Sequence, residues 1–279
     1  MLRIAMDTAG DVSSGWEKEY SIDLIPINII HDGVSYRQGI DLQYDDFYSM
    51  VEEDGVIPST SQPTPYQFIQ FYKSIAKAGD DILSIHVTDK LSGTMNSARQ
   101  AAEELKDTYN IIPFDSASGT ICMGMMCREA RIMERANKSL PEIISRLETI
   151  RKNMKLIFTV ETMKFAKLSG RVKSLQATLA SILDIKPIIE LQDGVIEIKD
   201  KVRSRNASLS RIIKRLKDKV GDNPVQIAVV HAHDPSTADS ILDQIKTTFN
   251  CVDISMAEIS ISLAAHFGPG TIGIAAYPV

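Results

Sequence analysis

The chain has 279 residues and a mass of 30.9 kDa, which allows one large hydrophobic core or two smaller ones. Its composition, 44% hydrophobic and 24% charged, is that of a soluble globular protein, and no apolar run reaches the roughly 18 to 20 residues of a membrane span. A formal net charge of -5 and a pI near 5.6 argue against a nucleic-acid partner and favour a small molecule or a protein.

The start of the chain and the number of its cysteines predict the cellular compartment in which the protein works. The sequence MLRIAMDTAGD leads directly into a predicted strand and lacks the basic and apolar regions of a signal peptide. The three cysteines, Cys122, Cys127 and Cys251, form no CxxC pair, and an odd number argues against a disulfide framework. We expect a cytoplasmic protein with reduced cysteines, without stable membrane insertion and, by default, a monomer.

The N-terminal part alternates short β-branched runs with amphipathic stretches, which predicts an α/β fold with a largely parallel sheet. Helices are predicted after Thr64, Gly93 and Gly119. The first of these has a capping box, Thr64 with Gln67, and Pro65 in its first position. The predicted strands are Arg3 to Thr8, Leu24 to His31, Ile82 to Val87 and Ile111 to Asp115.

A second series of strands begins after a predicted helix over Leu140 to Lys152, which Ser139 and Glu142 cap. We therefore predict an N-terminal α/β domain over residues 1–154 and a C-terminal α/β domain with a mixed sheet over residues 155–279. The Asp-Gly of Gln192-Asp193-Gly194 predicts a hairpin, and Asp234 is expected to cap a helix over Pro235 to Ile245. The predicted strands here are Leu156 to Val160, Lys186 to Leu191, Val195 to Lys199, Gln226 to His231, Val252 to Ile259 and Thr271 to Ala276.

The stretch VTDKLSGTMNSAR, residues 87–99, places a glycine between two hydroxyl residues where a strand leads into a helix. Gly93 permits unusual backbone torsions or close approach of a ligand, and the hydroxyls of Ser92 and Thr94 lie beside helix-start amides that attract anions. Neither a Walker motif nor GxGxxG is present, so support for nucleotide binding is weak. The alternative is that Ser92 only caps the helix.

Two further loops carry candidate polar groups. The stretch Pro58 to Pro65 contains three prolines that fix the backbone and present hydroxyls, among them Thr60 and Ser61, whereas Thr64 is better explained as a helix cap. His266 precedes a Gly-Pro-Gly turn before the last strand. It is either a structural histidine or a group beside a ligand.

These three loops, together with five further motifs in the same order along the whole chain, resemble the DegV family. The motifs are Met6 to Asp11, Thr60 to Pro63, Leu91 to Thr94, Asp115-Ser116, Gly170-Arg171, Lys186 to Ile188, Arg203 to Arg205, and His266 to Gly270. The resemblance implies a two-domain DegV-like fold, with a Rossmann-like parallel-sheet N-terminal domain and a mixed-sheet C-terminal domain. It also implies that the protein binds one long-chain fatty acid, as does the carrier subunit of bacterial fatty acid kinase, whose ATP-dependent partner phosphorylates the bound carboxylate.

The resemblance also implies roles for individual residues. The carboxylate would be held by Thr60, Ser61, Ser92, Gly93 and His266, and the residues facing the headgroup or the kinase would be Arg171 and Arg203. Where many members have Gly-Gly-Arg, this chain has Ser169-Gly170-Arg171, which leaves the shape of that loop open. No cofactor other than the bound fatty acid is expected.

The sequence gives weaker signals for the residues that would line a tunnel around the acyl chain and for the residues near the site. The methionine-dense helix over Ile121 to Met133 suggests Met123, Met126 and Ala130 as lining residues, although plain core is the alternative; the stretch Ser174 to Leu183 is equally ambiguous. The basic run Arg203, Arg205, Arg211, Lys214 and Arg215 is either a solvated helix face or a docking patch. His231 and His233 share one strand face but lack a third ligand, so no metal site is predicted.

We therefore expect a carrier that is not itself an enzyme, in which tail burial supplies affinity and neutral hydroxyls orient the head. The alternative is a stand-alone acyl-transfer or hydrolytic enzyme with Ser92 as nucleophile and His266 as base. A third class, a scaffold or regulatory module, would leave Thr60 and Ser92 without a role.

Overall fold

A computed structural model describes residues 1–172 and 185–279, and its elements are numbered in chain order. The first sheet has four parallel strands in the order β2-β1-β6-β7. These strands are β1 (Leu2–Asp7), β2 (Ile22–Ile25), β6 (Asp81–His86) and β7 (Asn110–Asp115). The accompanying helices are α1 (Trp16–Glu19), α2 (Tyr44–Asp54), α3 (Pro65–Ile75), α4 (Thr94–Glu104), α5 (Ile121–Arg135) and α6 (Leu140–Asn153).

A small antiparallel sheet, β4-β3-β5, lies beside the first and consists of β3 (Asn28–His31), β4 (Val34–Arg37) and β5 (Ser59–Ser61). The single strand predicted over Leu24 to His31 is therefore wrong. The chain leaves the parallel sheet at Pro26, which has no N–H for a ladder, and enters the second sheet at Asn28.

The C-terminal sheet is mixed and has six strands in the order β10-β9-β8-β13-β11-β12. Among the described strands of this sheet, β11 and β12 pair in parallel and the other neighbours pair antiparallel. The strands are β8 (Lys155–Thr159), β9 (Lys186–Gln192), β10 (Val195–Val202), β11 (Val225–His231), β12 (Cys251–Glu258) and β13 (Ile272–Pro278). The helices are α7 (Met163–Ser169), α8 (Arg205–Val220), α9 (Pro235–Thr248) and α10 (Ile261–Phe267). The predicted α/β class, with a parallel N-terminal and a mixed C-terminal sheet, is confirmed.

The capping and turn signals have their expected local structures. The Thr64 hydroxyl accepts a hydrogen bond from the Gln67 amide at 3.2 Å, and the Gln67 side chain accepts one from the Thr64 amide at 2.8 Å. Asp234 caps α9 by accepting from the Thr237 amide at 3.3 Å. Asp193 and Gly194, with φ of 50° and 77°, form the two-residue turn between β9 and β10.

The largest apolar cluster takes buried residues from both the parallel and the mixed sheet, for example Met6, Val87, Phe158 and Val230. The predicted division between residues 154 and 155 falls where α6 ends and β8 begins, and it stays a prediction. Across residues 1–172 and 185–279, no helix is both long and apolar enough to span a membrane. The stretch Ser174 to Leu183 lies outside the described residues.

Candidate ligand cavity

A cavity of about 420 Å³ lies at the carboxyl ends of the parallel strands and is lined from both large sheets. Ala9, Ile27 and Val87 line it from the loops that follow β1, β2 and β6, and Leu156 and Phe158 line it from β8. The carboxyl ends of parallel strands are where ligands commonly bind in open α/β sheets.

The lining has an apolar and a polar part. Its apolar members are Ala9, Ile27, Val87, Leu91, Leu156, Phe158, Leu191, Ile196, Val230, Ile259, Leu263 and Phe267. Its polar members are Thr60, Ser61, Gln62, Ser92, Thr120, Arg171, Ser262, His266 and Thr271, and the remaining positions are Gly93 and Gly119. Such a cavity suits a molecule with a long apolar body and a small polar or anionic head.

Two of the predicted head-binding residues are joined directly. Thr60 lies in the middle of β5 and His266 in the last turn of α10, and Thr60 Oγ1 is 3.0 Å from His266 Nε2. The contact links positions 206 residues apart, so the hydroxyl and the imidazole are held in one arrangement before any ligand binds.

The surroundings of His266 keep its imidazole neutral near pH 7. Burial, followed by the positive charge of Arg171, lowers the pKa of His266 to about 4. A neutral imidazole next to a carboxylate binds it by hydrogen bonding and forms no ion pair with it.

Buried polar groups of the N-terminal half, residues 1–154, hold the start of α10 and thereby position His266. Asp11 accepts a hydrogen bond from the Ser260 amide at 2.8 Å, and Gln38 accepts one from the Ser262 amide at 2.8 Å. The Ser262 hydroxyl donates to the Thr8 carbonyl at 3.1 Å. The bonds to Asp11 and Gln38 satisfy two amides that would otherwise lack partners at the start of this helix.

Asp11 is itself buried, and it accepts a short hydrogen bond from the Thr120 hydroxyl. Burial is the main reason that the pKa of Asp11 rises to about 7, against the lowering effect of the hydrogen bonds from Thr120 and Ser260. Thr120 has φ of 51°, an unusual value for a β-branched residue, and its amide donates to the Ala9 carbonyl at 2.7 Å.

Ser92 lies on the cavity wall but is not the helix cap. Gly93 occupies the N-cap position of α4, while Ser92 Oγ lies 2.8 Å from Thr94 Oγ1 and accepts from the Thr94 amide at 3.3 Å. The Ser92 residue is half-buried, and its neighbours hold the hydroxyl in place at the cavity wall. There it can contact the head of a ligand.

Of the two reasons predicted for Gly93, the unusual torsion is wrong, and close approach of a ligand stays a prediction. The φ of Gly93 is −78°, which any residue adopts, so no special torsion is involved. A Cβ added there would lie 2.2 Å from Gln62 Oε1, because the Gln62 amide packs against this backbone and donates to Ser97 Oγ at 3.4 Å. Gly93 therefore makes room for a side chain that also lines the cavity.

Arg171 lines the cavity from the loop after α7. Gly170 ends the helix with φ of 68°, and Ser169 Oγ accepts from the Arg171 amide at 3.3 Å while its own hydroxyl donates to the Ala166 carbonyl at 3.0 Å. The serine that replaces the family's usual glycine thus forms hydrogen bonds within this loop.

The remaining predicted residues are not at the cavity. Arg203 is exposed in the loop after β10, away from the lining. Met123, Met126 and Ala130 do not line the cavity either, because their face of α5 is packed into the buried core. Met123, for example, packs against Gly10, where an added Cβ would lie 2.9 Å from its own.

Three members of the basic run are ion-paired, and the two histidines lie apart from one another on the chain's path out of β11. Arg205, Arg211 and Arg215 pair with carboxylates, among them Asp234, Asp200 and Glu190. His231 is the last residue of β11 and His233 lies beyond it with φ of 54°, so the two do not share a strand face. In the described parts of the chain no group of three or more potential metal ligands occurs.

Four polar lining residues had no predicted role: Gln62, Thr120, Ser262 and Thr271. Gln62 belongs to the Thr-Ser-Gln-Pro motif, so the motif already pointed to it. Thr120, Ser262 and Thr271 reach the cavity from loops and helix starts that only the tertiary fold brings together.

Comparison with known proteins supplies the family context. The family model described as an uncharacterised protein of the DegV family matches residues 1–279. A DegV domain-containing protein of Listeria innocua is 32% identical over 260 residues, with 92% of each chain covered.

Two solved structures are similar over almost their full length. One is a DegV family protein from Thermus thermophilus described by its fatty acid binding, with 25% identity and a TM-score of 0.91 over 100% of this chain and 99% of that one. The other is DegV from Bacillus subtilis, described as a fatty acid binding protein, with 26% identity and a TM-score of 0.89 at the same coverage.

Proposed function

The chain belongs to the DegV family, and on this premise we propose that it binds one long-chain fatty acid and presents its carboxylate to an ATP-dependent kinase. The observation that carries the proposal is the divided lining of the cavity, apolar over most of its wall and hydroxyl-rich at Thr60, Ser61 and Ser92. Relatives described as fatty acid binding proteins support the same ligand class.

The apolar wall would supply most of the affinity. About 15 methylenes at roughly 0.8 kcal/mol each correspond to at most about 12 kcal/mol of transfer free energy. A cavity of about 420 Å³ lies within the usual range for small-molecule sites. The head therefore needs to be oriented more than it needs to be bound tightly.

The polar residues would orient the head without neutralising it. Thr60 and Ser92 offer hydroxyl donors, and the imidazole of His266 is neutral near pH 7 because its pKa is lowered to about 4. Neutral donors satisfy carboxylate lone pairs and leave an oxygen nucleophilic. Arg171 adds positive charge at the same end of the cavity.

The proposed reaction at the partner is a phosphoryl transfer. One carboxylate oxygen would form a bond to the γ-phosphorus of ATP, the bond from that phosphorus to the ADP oxygen would break, and acyl phosphate and ADP would result. In this scheme the present chain supplies and positions the acceptor, and the kinase supplies the nucleotide site.

Lipid extraction tests the ligand assignment. Protein purified from a bacterial host should carry about one fatty acid per chain by native mass spectrometry, and delipidated protein should take up added fatty acid at the same ratio. Preparations that never contain fatty acid and never take it up would refute the proposal.

The contacts of Ser92 and His266 do not favour the hydrolase alternative. A serine nucleophile needs its base within hydrogen-bond reach, but His266 Nε2 is paired with Thr60 and Ser92 Oγ with Thr94. No observation favours the scaffold alternative over a ligand site.

A further inference from the structure

Four buried polar side chains form a chain of hydrogen bonds behind the cavity wall. Asp7 ends β1, Ser84 and His86 belong to β6, and Tyr72 belongs to α3. The Tyr72 hydroxyl donates to Ser84 Oγ at 2.9 Å, and Ser84 Oγ lies 2.8 Å from His86 Nε2. His86 Nδ1 lies 3.0 Å from Asp7 Oδ2. None of the four lines the ligand cavity, so they act on a ligand only through their neighbours.

The partners fix the direction of each hydrogen bond. A carboxylate only accepts hydrogen bonds, so His86 Nδ1 carries the proton that it shares with Asp7. With Nε2 as the acceptor of the Ser84 proton, every polar hydrogen of the chain has a partner, because Ser84 Oγ in turn accepts from Tyr72. The imidazole is therefore held in one orientation, with its N–H directed at the carboxylate.

The Asp7 carboxylate joins the two loops that begin at the carboxyl ends of β1 and β6. Its Oδ1 accepts from the Ala9 amide at 2.9 Å. Its Oδ2 accepts from the Val87 amide at 3.0 Å as well as from His86. Ala9 and Val87 both line the cavity. The carboxylate therefore sets the distance between two parts of the cavity wall, and His86 orients the carboxylate.

On the side of β6, the loop held by Asp7 leads to Ser92, five residues beyond Val87. The Thr88 carbonyl accepts from the amides of Leu91 and Ser92 at 3.1 and 3.2 Å, so this part of the loop is a hydrogen-bonded turn. A displacement of Val87 would therefore be transmitted to Ser92, because the turn between them moves as a unit.

On the side of β1, the loop held by Asp7 leads to His266 through a second buried carboxylate. Asp11 lies two residues beyond Ala9 and accepts from the Ser260 amide at 2.8 Å, where α10 begins. His266 lies in the last turn of the same helix. The Asp7 carboxylate is thus connected to both sides of the proposed carboxylate site.

We propose that Asp7 and His86 are positioning residues for the bound carboxylate. Asp7 sets the distance between Ser92 and His266, and His86 holds Asp7 in the orientation that does so. This role rests on the proposed function, because it concerns the head of a bound fatty acid. Its effect is to keep the two sides of the site in place before the ligand arrives, so that little ordering remains to be done on binding.

Stability alone does not require polar side chains at these positions. Replacing both partners of a buried hydrogen bond by apolar groups of the same shape is often nearly neutral. The surroundings are already apolar and aromatic, since the Phe68 ring packs edge-on against His86 with centroids 5.1 Å apart. An apolar side chain at position 7, however, cannot accept from the amides of Ala9 and Val87 at once.

Two substitutions at His86 separate positioning from stability. The side-chain nitrogen of an asparagine lies where histidine has Nδ1, so His86→Asn keeps a donor for Asp7 and loses the contact with Ser84. The side-chain nitrogen of a glutamine reaches the place of Nε2, so His86→Gln keeps the contact with Ser84 and loses the donor for Asp7. Because asparagine is the smaller residue, His86→Asn leaves the larger void and should be the less stable variant.

Two further variants change the ends of the chain. Asp7→Asn has one acceptor oxygen instead of two, so the amides of Ala9 and Val87 cannot both be satisfied. Tyr72→Phe removes the hydroxyl farthest from Asp7 and leaves the bond between His86 and Asp7 intact, which makes it the control.

The readout is the carboxyl resonance of bound hexadecanoate, labelled with carbon-13 at the carboxyl group, together with its affinity for delipidated protein by calorimetry. His86→Gln and Asp7→Asn should shift or broaden this resonance and weaken binding about fivefold, the equivalent of roughly one hydrogen bond. His86→Asn and Tyr72→Phe should keep the resonance and affinity of wild type. Urea unfolding should nevertheless show that His86→Asn is less stable than His86→Gln.

The outcomes separate this proposal from the proposed function. If His86→Gln and Asp7→Asn keep the wild-type resonance and affinity, the positioning role is refuted and the fatty acid site stands. If the effects follow the loss of stability, so that His86→Asn is affected more than His86→Gln, the network is structural only and the proposal is wrong. Should His86→Gln not fold, Asp7→Asn against Tyr72→Phe decides by the same readout. If wild type binds no hexadecanoate, the proposed function fails and the positioning role with it.

Discussion

Thr60 and Ser92 come from separate loops, and each already has a polar neighbour before a ligand binds. Thr60 Oγ1 is 3.0 Å from His266 Nε2, and Ser92 Oγ is 2.8 Å from Thr94 Oγ1. Fixed hydroxyls lose little conformational freedom when they engage a carboxylate, so their contribution is to orientation. Their removal should affect phosphorylation more than fatty acid binding.

The double variant Thr60→Ala, Ser92→Ala tests this assignment. We expect the fold to be retained, fatty acid binding to weaken moderately because the tail site is intact, and phosphorylation by a partner kinase to fall about tenfold or more. Ser59→Ala is the matched control, since Ser59 lies on the same strand, is exposed and does not line the cavity. A normal phosphorylation rate in the double variant would contradict the site assignment.

The raised pKa of Asp11 predicts the sign of a pH dependence of stability. Its pKa rises from 3.8 to about 7 in the folded protein, so between these values the folded state holds more protons than the unfolded state. Stability contributed by protonated Asp11 is present below pH 4 and is lost as the pH rises through about 7. The loss is at most about 4 kcal/mol.

Urea unfolding of wild type and Asp11→Asn at several pH values measures this effect. The free energy of unfolding of wild type minus that of the variant should fall between pH 4 and 7, and the subtraction removes titrations common to both proteins. His266 acts in the opposite direction, because its lowered pKa makes stability fall as the pH decreases below 6.5. A difference that stays constant with pH would show that Asp11 does not titrate in this range.

At the level of elements, two hairpins with the same turn differ in what they contact. Asp32-Gly33 has φ of 48° and 77°, and Asp193-Gly194 has φ of 50° and 77°. An added Cβ at Gly33 meets nothing within 4 Å, whereas one at Gly194 lies 2.3 Å from Thr88 Oγ1. Only the second turn packs on the loop that carries Lys90 and Leu91.

Substituting alanine at these two glycines separates turn strain from packing of the turn. Gly33→Ala should cost roughly 1–2 kcal/mol of unfolding free energy, the penalty of a left-handed torsion. Gly194→Ala should cost the same plus the displacement of Thr88, and should also weaken fatty acid binding because Leu91 moves with the loop. Denaturant unfolding and ligand titration provide both readouts. Equal costs and unchanged binding would mean that the packing of this turn has no effect on the cavity.

The fold was predictable where a local signal and the tertiary structure agree. The caps at Thr64 and Asp234 and the turn at Asp193-Gly194 depend on neighbouring residues alone, so they were predicted correctly. The strand predicted over Leu24 to His31 was wrong. Its apolar residues indicate a single strand, but the chain changes sheets at Pro26, between β2 and β3. The Asp-Gly pair at positions 32 and 33 is a hairpin signal, and it forms the turn between β3 and β4.

The site was predictable to the extent that it consists of contiguous motifs. Thr60, Ser61, Ser92, Gly93, Arg171 and His266 all line the cavity, although their roles stay predictions. Met123 packs in the buried core, the alternative left open for it, because periodicity indicates that a helix face is buried but not whether it faces core or cavity.

At the scale of the whole molecule, the cavity is a gap in an apolar cluster shared by both halves of the chain. Val87 and Phe158 belong to this cluster and also line the cavity. Asp11 and Gln38 connect the halves at α10, on the polar side. A ligand that fills the gap should therefore stabilise both halves together.

A series of saturated fatty acids tests this coupling through thermal unfolding of delipidated protein, with each ligand kept below its micelle concentration. Each added methylene should tighten binding about fourfold, since roughly 0.8 kcal/mol is transferred to the apolar wall. The unfolding temperature should therefore rise with chain length, in one transition, until the cavity of about 420 Å³ is full. The corresponding alcohols, which keep the tail and lack the carboxylate, are the control and should follow the same slope. If acetate and dodecanoate stabilise equally, binding energy resides in the head and the apolar wall is not the acyl site.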